Sequence, residues 1–219
     1  GEVMGLADAS VITEVRTGAV SGVATDLLAR KDAHHLAVIG AGAQGRSHLA
    51  AMMEVRDIQK VTVYDQRREA AKKYQKEMEE KYKIPVMVCD SVEEAVKGAE
   101  IICTVTPSKE PYLKAEWITP GAHINAVGAF TPNTREIESS LMAKAKLYAD
   151  QVEAMKKECG EYLIPKNEGL FGEEHITGSI GGILAGQVPG RENDTEITLF
   201  DALGLAVEDV ACGRFLCRE

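Results

Sequence analysis

At 219 residues and 45% hydrophobic composition, the chain is long enough for one substantial core and a smaller appendage, and no run approaches the roughly 20 apolar residues of a membrane span. A formal net charge of −9 disfavours a polyanion, so the composition argues against nucleic acid as a partner. The five cysteines are odd in number and form no C-x-x-C, which fits reduced thiols in a cytoplasmic protein and predicts each as a small buried hydrophobe, with no metal site.

No signal-peptide pattern opens at Gly1, and both ends read as cut from a longer chain. Residues 10–30 form the first predicted helix. Ile12, Val15, Ala19, Val23 and Leu27 make its apolar stripe, Ser10 its cap, and Arg30-Lys31 complement its C-terminal dipole. The middle of this helix is small (Gly18, Ala19, Ser21, Gly22, Ala24), which lets another backbone or a ligand come close. Arg16, near the end of that small face, reads either as a solvated helix cation or as the holder of a carboxylate or phosphate.

His35-Leu36-Ala37-Val38-Ile39 then reads as a buried strand running into Gly40-Ala41-Gly42-Ala43-Gln44-Gly45, a G-x-G-x-x-G turn at the head of a second helix over 44–56. A strand, a tight glycine turn and a helix N-terminus make a pyrophosphate site, because backbone N–H groups and the helix dipole both favour an anion there. Gly40 permits the turn, Gly42 lets the phosphate approach, and Gly45 lets helix and strand pack closely. The next strand, 60–64, ends in Asp65, 20 residues beyond Gly45. Two readings stand for that acid: a ligand of the adenosine ribose hydroxyls, favoured by the strand–turn–helix–strand context, or a cap for the following helix. Asp65 favours NAD, while Arg67 and Arg68 leave NADP open.

A helix over 67–83 buries Ala70, Tyr74, Met78 and Tyr82, a short strand follows at 85–88, and Ser91 to Glu94 has the form of a capping box. The strand 101–104 leads to Thr106 and Ser108, which read equally as cofactor contacts at a strand end or as turn residues around Pro107. His123 opens the next strand as a structural residue, and Val127, Gly128 and Ala129 form its exit. The segment from Ala129 through Phe130 to Pro132 lies where a nicotinamide ring would rest, and Asn133 to Glu136 are expected to cap a helix. A sixth strand covers 146–150. The glycine-rich stretch 178–191 follows no strand signal and reads as a short helix stopped at Gly186 with a turn at Pro189-Gly190. A strand at 195–200 ends in Asp201, expected to cap a closing helix that carries Leu203, Ala206, Val207 and Val210. The alternation of strand and helix predicts an α/β fold: a Rossmann-type, doubly wound parallel sheet with helices on both faces.

Several of these segments together carry a family pattern. Ile12-Thr13 with Arg16-Thr17-Gly18-Ala19, Ile39 to Gln44, Asn125 to Ala129, Ile197 to Phe200 and Gly204 to Asp209 resemble the ornithine cyclodeaminase/mu-crystallin family, in its order and along essentially the whole chain. The resemblance implies a dinucleotide-binding domain over 31–175, a connecting helix over 1–30 and a return segment over 176–219. The last two belong with a substrate and dimerisation domain whose N-terminal segment the chain lacks. It implies NAD as cofactor, a small amino or imino acid as substrate, and a homodimer. It places Arg16 on both cofactor and substrate carboxylate and Ala43 and Gln44 on the pyrophosphate. Asp65 falls to the ribose, Thr106 and Val127 to Ala129 to the nicotinamide, and Phe130 and Leu203 to the substrate side. The chain departs from the pattern at Phe130, where the family has a catalytic aspartate, at Thr134 for a cofactor-binding lysine, and at Ala202 for a serine. A phenyl ring can neither shuttle a proton nor pair with an ammonium group. The leading expectation is therefore an NAD(P)-dependent oxidoreductase of a small α-amino or cyclic imino acid. An ornithine cyclodeaminase and a nicotinamide-nucleotide binding protein without turnover are the alternatives.

Overall fold

The computed structural model describes residue 3 and residues 5–217. The first half runs α1 (Ala9–Leu28), β1 (His35–Ile39), α2 (Ala43–Val55), β2 (Lys60–Tyr64), α3 (Arg68–Tyr82), β3 (Val86–Val88), α4 (Val92–Val96) and β4 (Ile101–Thr104). The second half runs β5 (His123–Ala126), α5 (Ser139–Lys144), β6 (Lys146–Ala149), α6 (Val152–Glu158), α7 (Gly160–Asn167), β7 (Ile176–Ser179), α8 (Ile180–Leu184), β8 (Thr198–Asp201) and α9 (Ala206–Leu216). These strands join one sheet in the order β3-β2-β1-β4-β5-β8-β6-β7, with every pairing parallel. The sheet is doubly wound, as the alternating pattern predicts. Among the described residues no helix is long and apolar enough to cross a membrane.

Successive side chains of a strand point to opposite faces, and β1 divides its residues accordingly. Leu36 and Val38 pack with Leu49 and Met52 of α2 and Tyr74 and Met78 of α3, whereas Ala37 and Ile39 join Leu141, Met155 and Tyr162 on the other face. Strands buried on both faces are apolar without alternation, which is why β1 and β4 are legible as continuous runs. Of the cysteines, Cys89, Cys103 and Cys159 are buried as expected, but Cys212 and Cys217 of α9 and its end are not.

Helix α1 turns the opposite face inward from the one its apolar spacing predicts. Thr17, Gly18, Ser21, Gly22, Ala24 and Thr25 are buried, while Val15, Ala19 and Val23 are exposed and Ile12 and Leu27 only half-buried. The reason is proximity of backbones. A Cβ on Gly18 would lie 2.3 Å from Ser47 Oγ, and one on Gly22 would lie 3.3 Å from the Cβ of Ala51, so only small residues let α1 settle against α2. Its cap is Asp8, which accepts from Ser10 N at 2.8 Å; Ser10 itself is already helical. At the far end the carbonyls are satisfied chiefly from across the fold. The buried Arg56 guanidinium donates to Thr25 O, Asp26 O and Ala29 O at 2.8–3.1 Å, and Lys31 adds a bond to Asp26 O.

The α1–α2 contact contains a titratable ring. His48 is fully buried, with Nδ1 donating to Gln44 O at 2.7 Å and Nε2 accepting from Ser21 Oγ at 3.0 Å, and burial pushes its pKa down from 6.5 to about 4. The folded state thus holds a neutral imidazole that the unfolded chain protonates below pH 6.5. Its share of stability is complete above that pH and is lost as pH falls toward 4, at up to about 1.4 kcal/mol per pH unit. His48→Gln is expected to destabilise the protein near neutral pH, with a deficit that shrinks as the pH is lowered. Denaturant titrations at a series of pH values check this, and a pH-independent deficit contradicts it.

Two expectations about the last third are corrected. The glycine-rich stretch does follow a strand: β7 pairs with β6, and Ser179 at its end caps α8 by accepting from Gly182 N. Its half-buried Ile-Thr-Gly-Ser sequence lies at the sheet edge, so it carries no strong apolar signal. Asp201 is the buried last residue of β8 and caps nothing; α9 starts at Ala206 after Leu205. Beyond residue 175, β7 and β8 both belong to the same sheet as the strands before it.

Candidate functional site

The winding of the sheet reverses between β1 and β4, and ligands of open α/β sheets gather beyond the carboxyl ends of strands at such a point. Two cavities open there. The first, about 480 Å³, is lined by Gly40, Gly42, Asp65, Arg67, Ser108 and Tyr112 with their neighbours. The second, about 460 Å³, is lined by Thr13, Arg16, Gln44, Val127, Phe130 and Leu203 with theirs. Val105, Thr106 and Pro107 border both, so the two form one groove across the sheet end.

The glycine turn lies in the middle of this groove. Gly40 has a φ of +112°, and a Cβ there would lie 2.8 Å from Val105 O, so neither its conformation nor its surroundings admit a side chain. A Cβ on Gly45 would lie 2.3 Å from Gly40 O, which is the close contact of helix and strand expected for the third glycine. Gly42 has open space where a side chain would stand and is the cap residue of α2 with no side-chain bond to the first turn. The first N–H groups of a thirteen-residue helix thus have no side-chain cap. Gln44 Oε1 is buried without a hydrogen-bond partner among the described residues, and Gln44 lines the second cavity. An open cradle and an orphaned polar atom fit a dinucleotide phosphate seated at this turn.

Asp65 accepts from Ala41 N at 2.9 Å through Oδ2 and from Arg67 N at 2.8 Å through Oδ1. It does not cap α3, whose cap residue is Arg67, so the capping alternative is set aside. The carboxylate instead joins the glycine turn to the end of β2 while lining the first cavity. The Arg67 side chain is largely exposed at the cavity edge, and Arg68 is paired with Asp90.

In the second cavity Arg16 is not a solvated cation. Its Nη1 pairs with Glu208 at 3.1 Å and its Nε with Asp209 at 3.2 Å, both from α9. Gly204, at φ +85°, lies against the guanidinium: a Cβ there would be 2.7 Å from Nη1. Asp150 fixes that glycine by accepting from its N–H at 2.7 Å. Burial pushes the Glu208 carboxyl up, against the pull of Arg16. Phe130 stands 65% exposed at the rim.

Not every expected residue reaches the groove. Ala43 is exposed at the start of α2, Gly45 is buried in the helix–strand contact and Ala129 is buried beside the groove; none of the three lines a cavity. His123 is structural: buried, held by Thr198 Oγ1 and Asn125 Oδ1, and pushed down to about 3 by burial. Glu136 is the residue that sequence reasoning missed. It caps no helix, since α5 starts at Ser139 after Glu138. It is fully buried, and its Oε1 accepts from Thr106 N, Thr106 Oγ1 and Tyr112 OH at 2.6–2.8 Å, its Oε2 from Gly128 N at 2.9 Å. Its only sequence signal is an acid directly before the buried Ile137.

The chain resembles known proteins along nearly its whole length. The description "Ornithine cyclodeaminase/mu-crystallin family" matches residues 1–218. A Delta(1)-pyrroline-2-carboxylate reductase of Bacillus cereus is 41% identical over 217 residues, which is 99% of this chain and 66% of the relative. The structure of the Thermococcus litoralis Delta(1)-pyrroline-2-carboxylate reductase in complex with NADH and L-proline is 42% identical, with a TM-score of 0.93, over 95% of this chain and 65% of that one. An archaeal alanine dehydrogenase dimer with bound NAD is 40% identical, with a TM-score of 0.91, over 96% and 64%. The chain spans about two thirds of the length of these relatives.

Proposed function

The chain belongs to the ornithine cyclodeaminase/mu-crystallin family, and from that premise we propose that its groove binds NADH and that the whole protein reduces a small cyclic imino acid to the amino acid. The observation that carries the reading is the continuity of the two cavities through Thr106, with Asp65 at one end, the glycine turn between and Arg16 at the other. That arrangement suits a ligand with a ribose and pyrophosphate at one end and a carboxylate-bearing partner beyond it. Asp65 would take the adenosine ribose hydroxyls, and its charge supports NADH over NADPH. The uncapped first turn of α2 would face the pyrophosphate, and Gln44 Oε1 would gain the partner it lacks. Val127 and Gly128 would border the nicotinamide, with Phe130 and Leu203 on the substrate side. The chemistry that NADH would supply when bound is a hydride for the imine carbon, with a proton from solvent completing the amine at nitrogen.

Arg16 would hold the substrate carboxylate with its charge already oriented by α9. Phe130 supports reduction over ornithine cyclisation, because no proton-transferring group stands at that position. The exposed valines of α1 (Val11, Val15, Val23) and the exposed Val207, Val210 and Phe215 of α9 support a homodimer, in which such a surface is covered. Three buried thiols fit a reducing, cytoplasmic setting.

A coupled assay of the full-length protein tests the reading. With NADH and a cyclic imine carboxylate, one NADH is expected to be oxidised per amino acid formed, and ornithine is expected to release no ammonia. Ammonia release from ornithine without net change in NADH would make the protein a cyclodeaminase. Tight NADH binding with no turnover of any imine would make it a binding protein.

A further inference from the structure

We propose that Glu136 is a positioning residue: its carboxylate clips the chain leaving β4 to the chain leaving β5 and so sets the shape of the nicotinamide end of the groove. The proposal rests on the reading above that the second cavity receives the nicotinamide. Four donors converge on this one side chain, from Thr106 N, Thr106 Oγ1, Tyr112 OH and Gly128 N. They come from two separate segments, and the segments meet only closely enough for a glycine. A Cβ on Gly128 would lie 2.1 Å from Thr106 O and 2.6 Å from Glu136 Oε2. Thr106 borders both cavities, Gly128 the second and Tyr112 the first, so the carboxylate touches the groove wall at its junction while itself remaining fully buried.

The backbone that carries Glu136 is held by a second acid. Glu161 of α7 is fully buried and accepts from Glu136 N at 2.5 Å and from Ile137 N at 3.2 Å. Glu136 O in turn accepts from Tyr112 N and Leu113 N at 2.8 and 3.0 Å. Two stacked carboxyls thus run from α7 to the groove wall, and neither lines a cavity. Burying two acids costs stability, and an apolar pair would fill a core more cheaply. What the acids supply is a fixed geometry for Thr106 and Gly128. Glutamine at 136 keeps the volume but replaces one acceptor with an N–H₂ group that faces donors, so the clip opens.

The test compares two ligands that differ only at the nicotinamide. Glu136→Gln is expected to bind NADH about tenfold more weakly than wild type, because the ligand must then order a groove wall that the carboxylate otherwise holds in place. Its affinity for ADP-ribose is expected to stay within about twofold, since neither Asp65 nor the glycine turn bonds to Glu136 and both keep their own partners. Glu161→Gln, which acts only through the backbone of Glu136, is expected to show the same selective loss at smaller size. This variant decides the matter should Glu136→Gln fail to fold. Equal losses for both ligands, or no loss for NADH, overturn the positioning role. Failure of the wild-type protein to bind ADP-ribose would instead overturn the dinucleotide assignment itself.

Discussion

Asp65→Ala is expected to weaken NADH binding by about ten- to a hundredfold, corresponding to the roughly 1.5–3 kcal/mol of hydrogen bonds to a charged group. Fluorescence titration of NADH measures it, and unchanged affinity would sink the ribose assignment. The geometry adds a complication that the spacing rule alone does not contain. Asp65 also accepts from Ala41 N inside the glycine turn, so alanine removes a support of the phosphate site as well as a ribose ligand. NADPH separates the two effects. A loosened turn costs NADH and NADPH alike, whereas loss of a ribose acid costs NADH and relieves repulsion of the 2′-phosphate. The NADH-to-NADPH affinity ratio is therefore expected to fall, and a constant ratio would confine Asp65 to supporting the turn.

How much of this was legible in the sequence depended on whether the signal was local. The strand His35–Ile39 and the three glycines are adjacent in the chain, the acid at the end of β2 follows at the spacing that this fold unit fixes, and each requirement is visible in residue type. The turn demands glycine at 40 and 45 for steric reasons that no neighbouring residue can supply. Helix α1 defeats the same logic. Its valine stripe is the stronger apolar pattern, but what α2 selects is the absence of side-chain volume at Gly18 and Gly22. Small residues do not register in hydrophobic periodicity. Glu136 and the acids of α9 were out of reach for a different reason: Glu136 joins Gly128, 8 residues away, to Thr106 and Tyr112, 30 and 24 residues away, and the acids that hold Arg16 stand 192 and 193 residues from it. An acid that ties its own loop to a distant one looks, in sequence, like any other acid.

The second large effect is expected at the other end of the groove. Arg16→Ala is expected to lower kcat/KM for a carboxylate-bearing imine by about a hundredfold or more, in line with the 2–5 kcal/mol cost of truncating one partner of a buried charge pair. NADH affinity is expected to change far less, and equal losses would demote Arg16 to a cofactor contact. Part of the deficit comes from what the arginine leaves behind. Glu208, with a side chain only 17% exposed, and Asp209 would face the substrate carboxylate with no cation between them. Like charges repel across a poorly solvated gap, so the acids would turn from partners into obstacles. Arg16→Ala combined with Glu208→Gln is therefore expected to recover part of the lost kcat/KM, although each change alone lowers it. A double variant worse than Arg16→Ala would mean that Glu208 assists the substrate in its own right. Arg16→Lys keeps the charge but cannot pair with Glu208 and Asp209 through two nitrogens of one rigid plane. Its expected signature is a raised KM with kcat largely kept, because the charge survives while its orientation does not.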